Sequence, residues 1–298
     1  MEYKTHEIID IPLNWNTLFT DISWLDELND KLIYANELFN INRGERRGWN
    51  AMFYPEKGHG IESEYIESIL RTPRHIKTLI AHADTDAFCC SKSIKELKGL
   101  THNGALSWIN KFEYQLNNDK NNPKPLPEVL NKPNSYWYEM NNSTMADLVA
   151  SMNFDKRMFI AKLNKKSFVD QRLTRFTAQK KMDIDLIHAL LNSLIGIFFI
   201  ESLGFGRGLG ALDLSSTRMR KYLRVLNPDL LTVEQINIIK KKFILIRDRE
   251  IKNILQEFKE EDRVDFDNTV LEAFGLLHLK DRIIDSFLYL FDMRTNVR

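Results

Sequence analysis

The chain has 298 residues, of which 43% are hydrophobic and 28% charged, and its formal net charge is +1. This composition is typical of a globular protein long enough to bury one or two cores, and no apolar run reaches the roughly 20 residues that span a bilayer. The two cysteines, Cys89 and Cys90, are adjacent, so we expect no disulfide, no zinc site, no membrane contact and a reducing cytoplasmic location.

The first third of the chain begins with a helical pattern and then changes to short apolar runs. Residues 11–40 carry apolar side chains at three- and four-residue spacing, which predicts an N-terminal helical segment over residues 1–38. Beyond it, the pattern predicts strands at "AMFYP", "HIKTLIAHAD" and "DAFCCS" and helices at "SEYIESILRT" and "NGALSWINKFEYQLN". The Asn-, Pro- and Lys-rich residues 117–135 predict a loop.

The rest of the chain first shows the pattern of antiparallel strands and then a helical pattern. "SYWYEM", "RMFIAKLN" and "SFVDQRLTRFTA" predict antiparallel strands, and residues 183–204 predict one long buried helix ending at Gly204. From residue 215 onward the periodicity is helical. We therefore predict an α+β fold, with a mixed antiparallel-sheet domain over residues 39–214 and a helical C-terminal lobe over residues 215–298.

Motifs for catalysis, metals and cofactors are not recognisable in this sequence. The seven histidines lie in no local nucleophile–base signature, and no GxSxG is present. The glycine-rich "LGFGRGLGALDL" follows a helix, whereas a dinucleotide fingerprint opens a helix after a first strand. His82, Asp84 and Asp86 have the spacing that simple alternation in a strand produces. We predict no catalytic residue, no metal and no cofactor in this chain.

The stretch "FNINRGERRGWNAMFYPEKG", residues 39–58, is the most suggestive binding segment. Arg43, Arg46 and Arg47 carry guanidinium groups that match both phosphate and the guanine edge in the major groove. Asn50 has the amide that suits the adenine edge, and Trp49 could stack on a base. The alternative is a charged turn whose tryptophan packs inward.

Three further segments have a composition suited to nucleic acid. The first two hold basic and amide side chains on one predicted helix face or strand, and the third holds an arginine between two glycines. In order along the chain, the candidate residues are Arg71, Arg74 and Lys77; Gln171, Arg172 and Arg175; and Arg207. A solvated helix end is the alternative for the first, and a structural glycine turn for the last.

Several phrases, in order, resemble the target-recognition region of N6-adenine DNA methyltransferases from restriction–modification systems, including the type IIG fusions of methylase and nuclease. "RGERRGWNAMFYP" resembles the opening of that region, "GALSWINKFE" is similar to one of its helices, and "NSYWYEM" to one of its strands. The most specific likeness lies in "LLNSLIGIFFIESLGFGRGLGALDLSS", where an "LLNS" helix leads to a "GALDL" phrase.

The resemblance implies a module that reads duplex DNA, with the twelve residues named above at its interface. The glycine motif that binds S-adenosylmethionine in the catalytic half of that family, and its Asn/Asp-Pro-Pro-aromatic motif, are not found in this sequence. We therefore expect the chain to act with a methyltransferase catalytic subunit or as part of a larger enzyme, with S-adenosylmethionine bound by that partner. The alternative is a protein–protein interaction subunit that makes no direct contact with DNA.

Overall fold

The computed structural model describes residues 13–296 of the chain. Its strands are β1 Leu32–Tyr34, β2 Phe39–Arg43, β3 Ile66–Leu70, β4 Ile80–Ala81, β5 Thr85–Phe88, β6 Ala146–Ser151, β7 Asn153–Phe154, β8 Ile160–Val169, β9 Leu173–Ala178, β10 Phe205–Arg207, β11 Ala211–Asp213 and β12 Arg224–Leu226. Its α-helices are α1 Asn50–Phe53, α2 Ile94–Gly99, α3 Asn103–Glu113, α4 Leu126–Val129, α5 Ile184–Leu191, α6 Leu194–Leu203, α7 Ser216–Tyr222, α8 Val233–Arg247, α9 Ile254–Glu257, α10 Glu261–Ala273 and α11 Lys280–Thr295.

The largest sheet has the strand order β2-β9-β6-β8-β3-β5, and β4 pairs with β8 beside this path. Most neighbours are antiparallel, but β3 and β4 each run parallel to β8. Two smaller sheets join β1 to β12 and β10 to β11 and β7. Together with the helices that follow β12, these sheets confirm the predicted α+β fold.

Backbone contacts after β2 bring its end back to the turn between β8 and β9. Gly44 N donates to Leu173 O at 2.8 Å, and Glu45 N donates to Val169 O at 2.7 Å. A Cβ on Gly44 would lie 2.2 Å from the carbonyl oxygen of Asp170, far inside van der Waals contact. The absent side chain is therefore what lets the loop after β2 cross the β8–β9 turn.

Two hydrophobic clusters form the interior. The larger one joins β2, β6, β8 and β9 to α5, α6, α8, α10 and α11. The smaller one packs α1, β3, β5 and α3 together, with Met52, Phe88 and Ile109 among its buried residues, and takes Phe168 from the end of β8. The long strand β8 thus belongs to both clusters. The predicted boundaries at residues 38 and 214 stay predictions.

The prediction of one long helix over residues 183–204 is wrong, because this segment forms two helices, α5 and α6, with an interruption between them. At the break, Asn192 Oδ1 accepts from Ile160 N at 3.0 Å and its Nδ2 donates to Ile160 O at 2.8 Å, so the amide extends the edge of β8. Ser193 then caps α6, while the Asp267 carboxylate accepts from Leu194 N at 2.8 Å. These buried polar contacts stabilise a new helix start inside an apolar run.

Other predicted elements also differ from the structure. The segment predicted as a helix at "SEYIESILRT" contains β3, which pairs with β5 on one side and β8 on the other. Residues 15–19 and 23–28 are short 3-10 turns, and the remaining predicted helix over residues 1–12 lies outside the described residues. The first three residues of "AMFYP" lie in α1, and "SYWYEM" contains no strand. In β3, pairing across the sheet outweighs local spacing.

Within residues 13–296, no single helix is long and apolar enough to cross a membrane. The pair α5 and α6 reaches the length and composition only when taken together, and the two helices are bent by 62°.

Candidate nucleic-acid interface

Three adjoining cavities form one groove at the ends of β2, β3 and β8. Their volumes are about 630, 450 and 430 Å³. The first two share Asn50 and Arg71, and the second and third share Thr72 and Arg172. We call this continuous depression the arginine groove. It collects side chains from segments far apart in the sequence.

Six of the twelve predicted interface residues line the arginine groove. They come from the end of β2, the start of α1, the loop after β3 and the β8–β9 turn: Arg43, Asn50, Arg71, Arg74, Gln171 and Arg172. Four are arginines and two are amides, so the groove combines phosphate-binding cations with groups that can read base edges.

Local contacts hold some of these side chains in place without neutralising them. The guanidinium of Arg71 lies over the ring of Tyr54, 4.9 Å from its centroid. Tyr54 donates its hydroxyl to Asp170 at 3.3 Å, and burial raises the pKa of that hydroxyl above its ordinary value. Arg43 donates from Nε to the carbonyl of Gln171 at 2.6 Å. The remaining guanidinium donors of both arginines stay available to a ligand.

Five carboxylates line the same cavities: Glu56, Asp84, Asp86, Asp155 and Asp170. Asp84 accepts from Arg71 N at 3.2 Å, and Asp170 accepts from Arg172 N at 3.1 Å. Within residues 13–296, the guanidinium groups of Arg43, Arg71, Arg74 and Arg172 form no ion pair, although other arginines such as Arg249 pair closely. None of these four guanidinium groups lies within 4.0 Å of the carboxylates that line the same cavities.

Three predicted interface residues are instead occupied inside the protein. Arg47 pairs with Glu45 at 2.8 Å, with both side chains about nine-tenths covered, and its guanidinium lies near the Phe53 ring. Trp49 packs against the smaller hydrophobic cluster. Arg175 donates to Thr144 O at 2.8 Å, and burial lowers its pKa. These three side chains are partly buried and already make contacts within the protein.

The other three lie on the surface away from the groove lining. Arg46 and Lys77 are exposed. Arg207, on β10, pairs with Asp213 across the hairpin at 2.6 Å. Arg71, Arg74 and Lys77 were expected to share one helix face. Instead, Arg74 lies within a short 3-10 helix, Pro73–His75, while Arg71 precedes this helix and Lys77 follows it.

The structure adds a residue that sequence reasoning missed. Arg157 lines the third cavity and donates from Nη1 to Ile76 O at 3.0 Å, with its guanidinium over the Phe159 ring. Its segment, "NFDKRMF", holds one lysine and one arginine among apolar residues, so composition gave no signal. Elsewhere in the described part of the chain, no three His, Cys, Asp or Glu side chains cluster as a metal site.

Comparison with known proteins places this fold. No family model and no curated protein matches the sequence. Among solved structures, the type IIG restriction endonuclease BpuSI is similar, with a TM-score of 0.60 and 12% identity over 94% of this chain and 33% of that one. The type IIL restriction-modification enzyme MmeI gives a TM-score of 0.48 and 10% identity over 86% of this chain and 36% of that one.

This chain spans about a third of the length of these neighbours. The likeness to BpuSI shows that a type IIG restriction endonuclease contains a fold similar to that of this chain.

Proposed function

We propose that this chain is a duplex-DNA-binding target-recognition module of a restriction–modification system. The observation that carries the proposal is the convergence of five arginines with Asn50 and Gln171, from five separate segments, in one groove whose arginines form no ion pair among the described residues. The fold shared with part of BpuSI supports the same assignment.

Each group in the arginine groove has a distinct chemical use in this proposal. Arg74 and Arg172 bind phosphates or the O6 and N7 atoms of guanine, because a planar guanidinium donates two parallel hydrogen bonds to either. Asn50 and Gln171 suit the N6 and N7 atoms of adenine. Phosphate contacts set affinity and register, and base-edge contacts choose the sequence.

The methyl-transfer chemistry belongs, in this proposal, to a cytoplasmic catalytic subunit or domain that binds S-adenosylmethionine and modifies adenine at N6. The present chain supplies sequence choice. In calorimetry, the isolated chain is expected to show no heat of binding with S-adenosylmethionine.

The test is selection of duplexes from a random library, followed by titration of the selected duplex at several salt concentrations. We expect a preferred sequence, and an association constant that falls linearly with salt on logarithmic axes as condensed counterions are released. Failure to bind any duplex at low salt contradicts the proposal.

A second candidate is a subunit that binds proteins alone. It is favoured by α8, which leaves Ile238, Ile244 and Leu245 between 42% and 57% exposed. Apolar docking through this helix is insensitive to salt, so association that persists at high salt and is lost in Leu245→Asp supports this candidate instead.

A further inference from the structure

The hairpin formed by β10 and β11 presents one leucine at its tip. Arg207 pairs with Ala211, and Gly208, Leu209 and Gly210 make the connection. Leu209 has φ +66° and ψ +22°, and its side chain is fully exposed. A left-handed backbone is strained for a bulky side chain, and glycine or asparagine normally occupies it. Full exposure also leaves the leucine without the stabilisation of burial.

The backbone of the hairpin is anchored to α11 on both sides of the exposed leucine. Arg294, on α11, is buried in an ion pair with Glu201 at 2.7 Å and donates a second hydrogen bond to the carbonyl of Gly210. A Cβ on Gly206 would come within 3.1 Å of the Arg294 side chain, so the first hairpin strand lies directly against α11. The Arg207–Asp213 pair ties the two strands together. Leu209 is therefore held outward by a preorganised support.

The hairpin stands at one end of the arginine groove. Strand β11 pairs with β7 through Leu212 with Phe154 and Asp213 with Asn153, and both β7 residues line the third cavity of the groove. Arg157 lies between this cavity and a neighbouring one of about 1000 Å³ that is lined by Leu209. A duplex that follows the groove past Arg157 meets the leucine tip.

We propose that Leu209 is a wedge that inserts between adjacent base pairs of the duplex in the arginine groove. Leucine is among the apolar side chains that partly unstack a base step, and the resulting bend brings more of the duplex against the protein. Insertion removes the leucine side chain from water, and the left-handed backbone at Leu209 fixes the direction in which the side chain points. The inference rests on the proposed function, because it requires duplex DNA in the groove.

A protein partner fits the tip less well. The flanking residues Gly208 and Gly210 carry no side chain, and the next residue back is the charged Arg207. The buried centre of a protein interface is built from contiguous apolar side chains. Leu255 and Leu288 line the same neighbouring cavity but are only 36% exposed, whereas Leu209 is fully exposed. A single fully exposed leucine between two glycines fits the gap between stacked bases.

The experiment places 2-aminopurine, whose fluorescence rises on unstacking, at successive positions of the duplex selected by the wild-type protein. Leu209→Asn suits the left-handed turn and removes the apolar wedge, and Leu209→Ala is the second variant. Leu255→Ala is the matched control, because Leu255 is a partly exposed leucine lining the same neighbouring cavity.

We expect wild type and Leu255→Ala to raise fluorescence several-fold at one base step. Both Leu209 variants lose that increase and bind about tenfold more weakly, while the slope of affinity against salt is unchanged. Wild-type binding with no fluorescence change at any position, or equal changes in wild type and Leu209→Asn, overturns the wedge and leaves the proposed function standing. No duplex binding by wild type overturns both.

Discussion

The arginines of the C-terminal helices and those of the arginine groove are the same chemical group in opposite situations. Among the C-terminal helices, Arg249 in the loop after α8 binds Glu257 and Asp262, Arg263 binds Asp267, and Arg294 binds Glu201. In the groove, the five arginines have no such partner among the described residues. The helical arginines are thus part of the folded structure, whereas the groove arginines are arranged for a partner from outside.

The largest effect on stability is expected at Arg294, whose ion pair is buried. We expect Arg294→Met to lower the free energy of unfolding by about 3–5 kcal/mol, because it leaves a buried carboxylate without its counterion. Burial raises the pKa of Glu201, and Arg294 opposes that rise. Chemical denaturation measures the loss. The double variant Glu201→Leu/Arg294→Met is expected to be more stable than the single variant, and a single variant as stable as wild type contradicts the account.

Gly44 tests whether the groove depends on the close approach of the two loops beneath it. Gly44→Ala is expected to lose about 1–3 kcal/mol, since its methyl group meets the carbonyls of Val169 and Asp170. Gly99→Ala is the control, because a Cβ there has open space, and it should gain about 0.4–1 kcal/mol. Equal unfolding midpoints for the two variants contradict the packing described for Gly44.

The buried His188 is expected to make the stability of the protein depend on pH. Burial lowers its pKa from 6.5 to about 3, so the folded state holds the ring neutral while the unfolded state takes up a proton below pH 6.5. Its stabilising contribution is complete above pH 6.5 and is lost progressively as the pH falls toward 3. We expect the stability difference between wild type and His188→Leu to shrink over that window. A difference that does not vary with pH contradicts this.

The smallest effect on stability is expected in the groove. Arg172→Ala should change the free energy of unfolding by less than about 0.5 kcal/mol, because the side chain is exposed and forms no ion pair among the described residues. Thermal unfolding compares it with wild type. A loss as large as that of Arg294→Met shows that the groove arginines serve folding after all.

The sequence predicted the α+β fold and most of the helices after residue 215, but helical spacing in that range did not indicate strand β12. It failed at β3, where Ile66, Ile69 and Leu70 have helical spacing but pair within a sheet. It also failed at residues 183–204, because the contact of Asn192 with β8 is invisible in one dimension. Such long-range pairing is set by tertiary structure.

For the candidate site, composition identified the segments but not the fate of each side chain. Arg43 and Arg47 have equal standing in "RGERR", yet the second is held by Glu45 and packed near Phe53. Arg157 gave no signal, because its role depends on the loop that folds beside it. Only the three-dimensional structure shows that these distant segments converge.

The most direct test of the central claim compares salt dependence in two triple variants of equal charge. The first is Arg43→Ala/Arg74→Ala/Arg172→Ala in the groove, and the second is Lys95→Ala/Lys120→Ala/Lys241→Ala at exposed positions elsewhere. The account predicts that the groove variant loses most of its duplex affinity and that its salt slope falls by about one for each arginine that contacts a phosphate. The lysine variant should bind like wild type. Equal losses in both variants contradict the claim that this groove holds DNA.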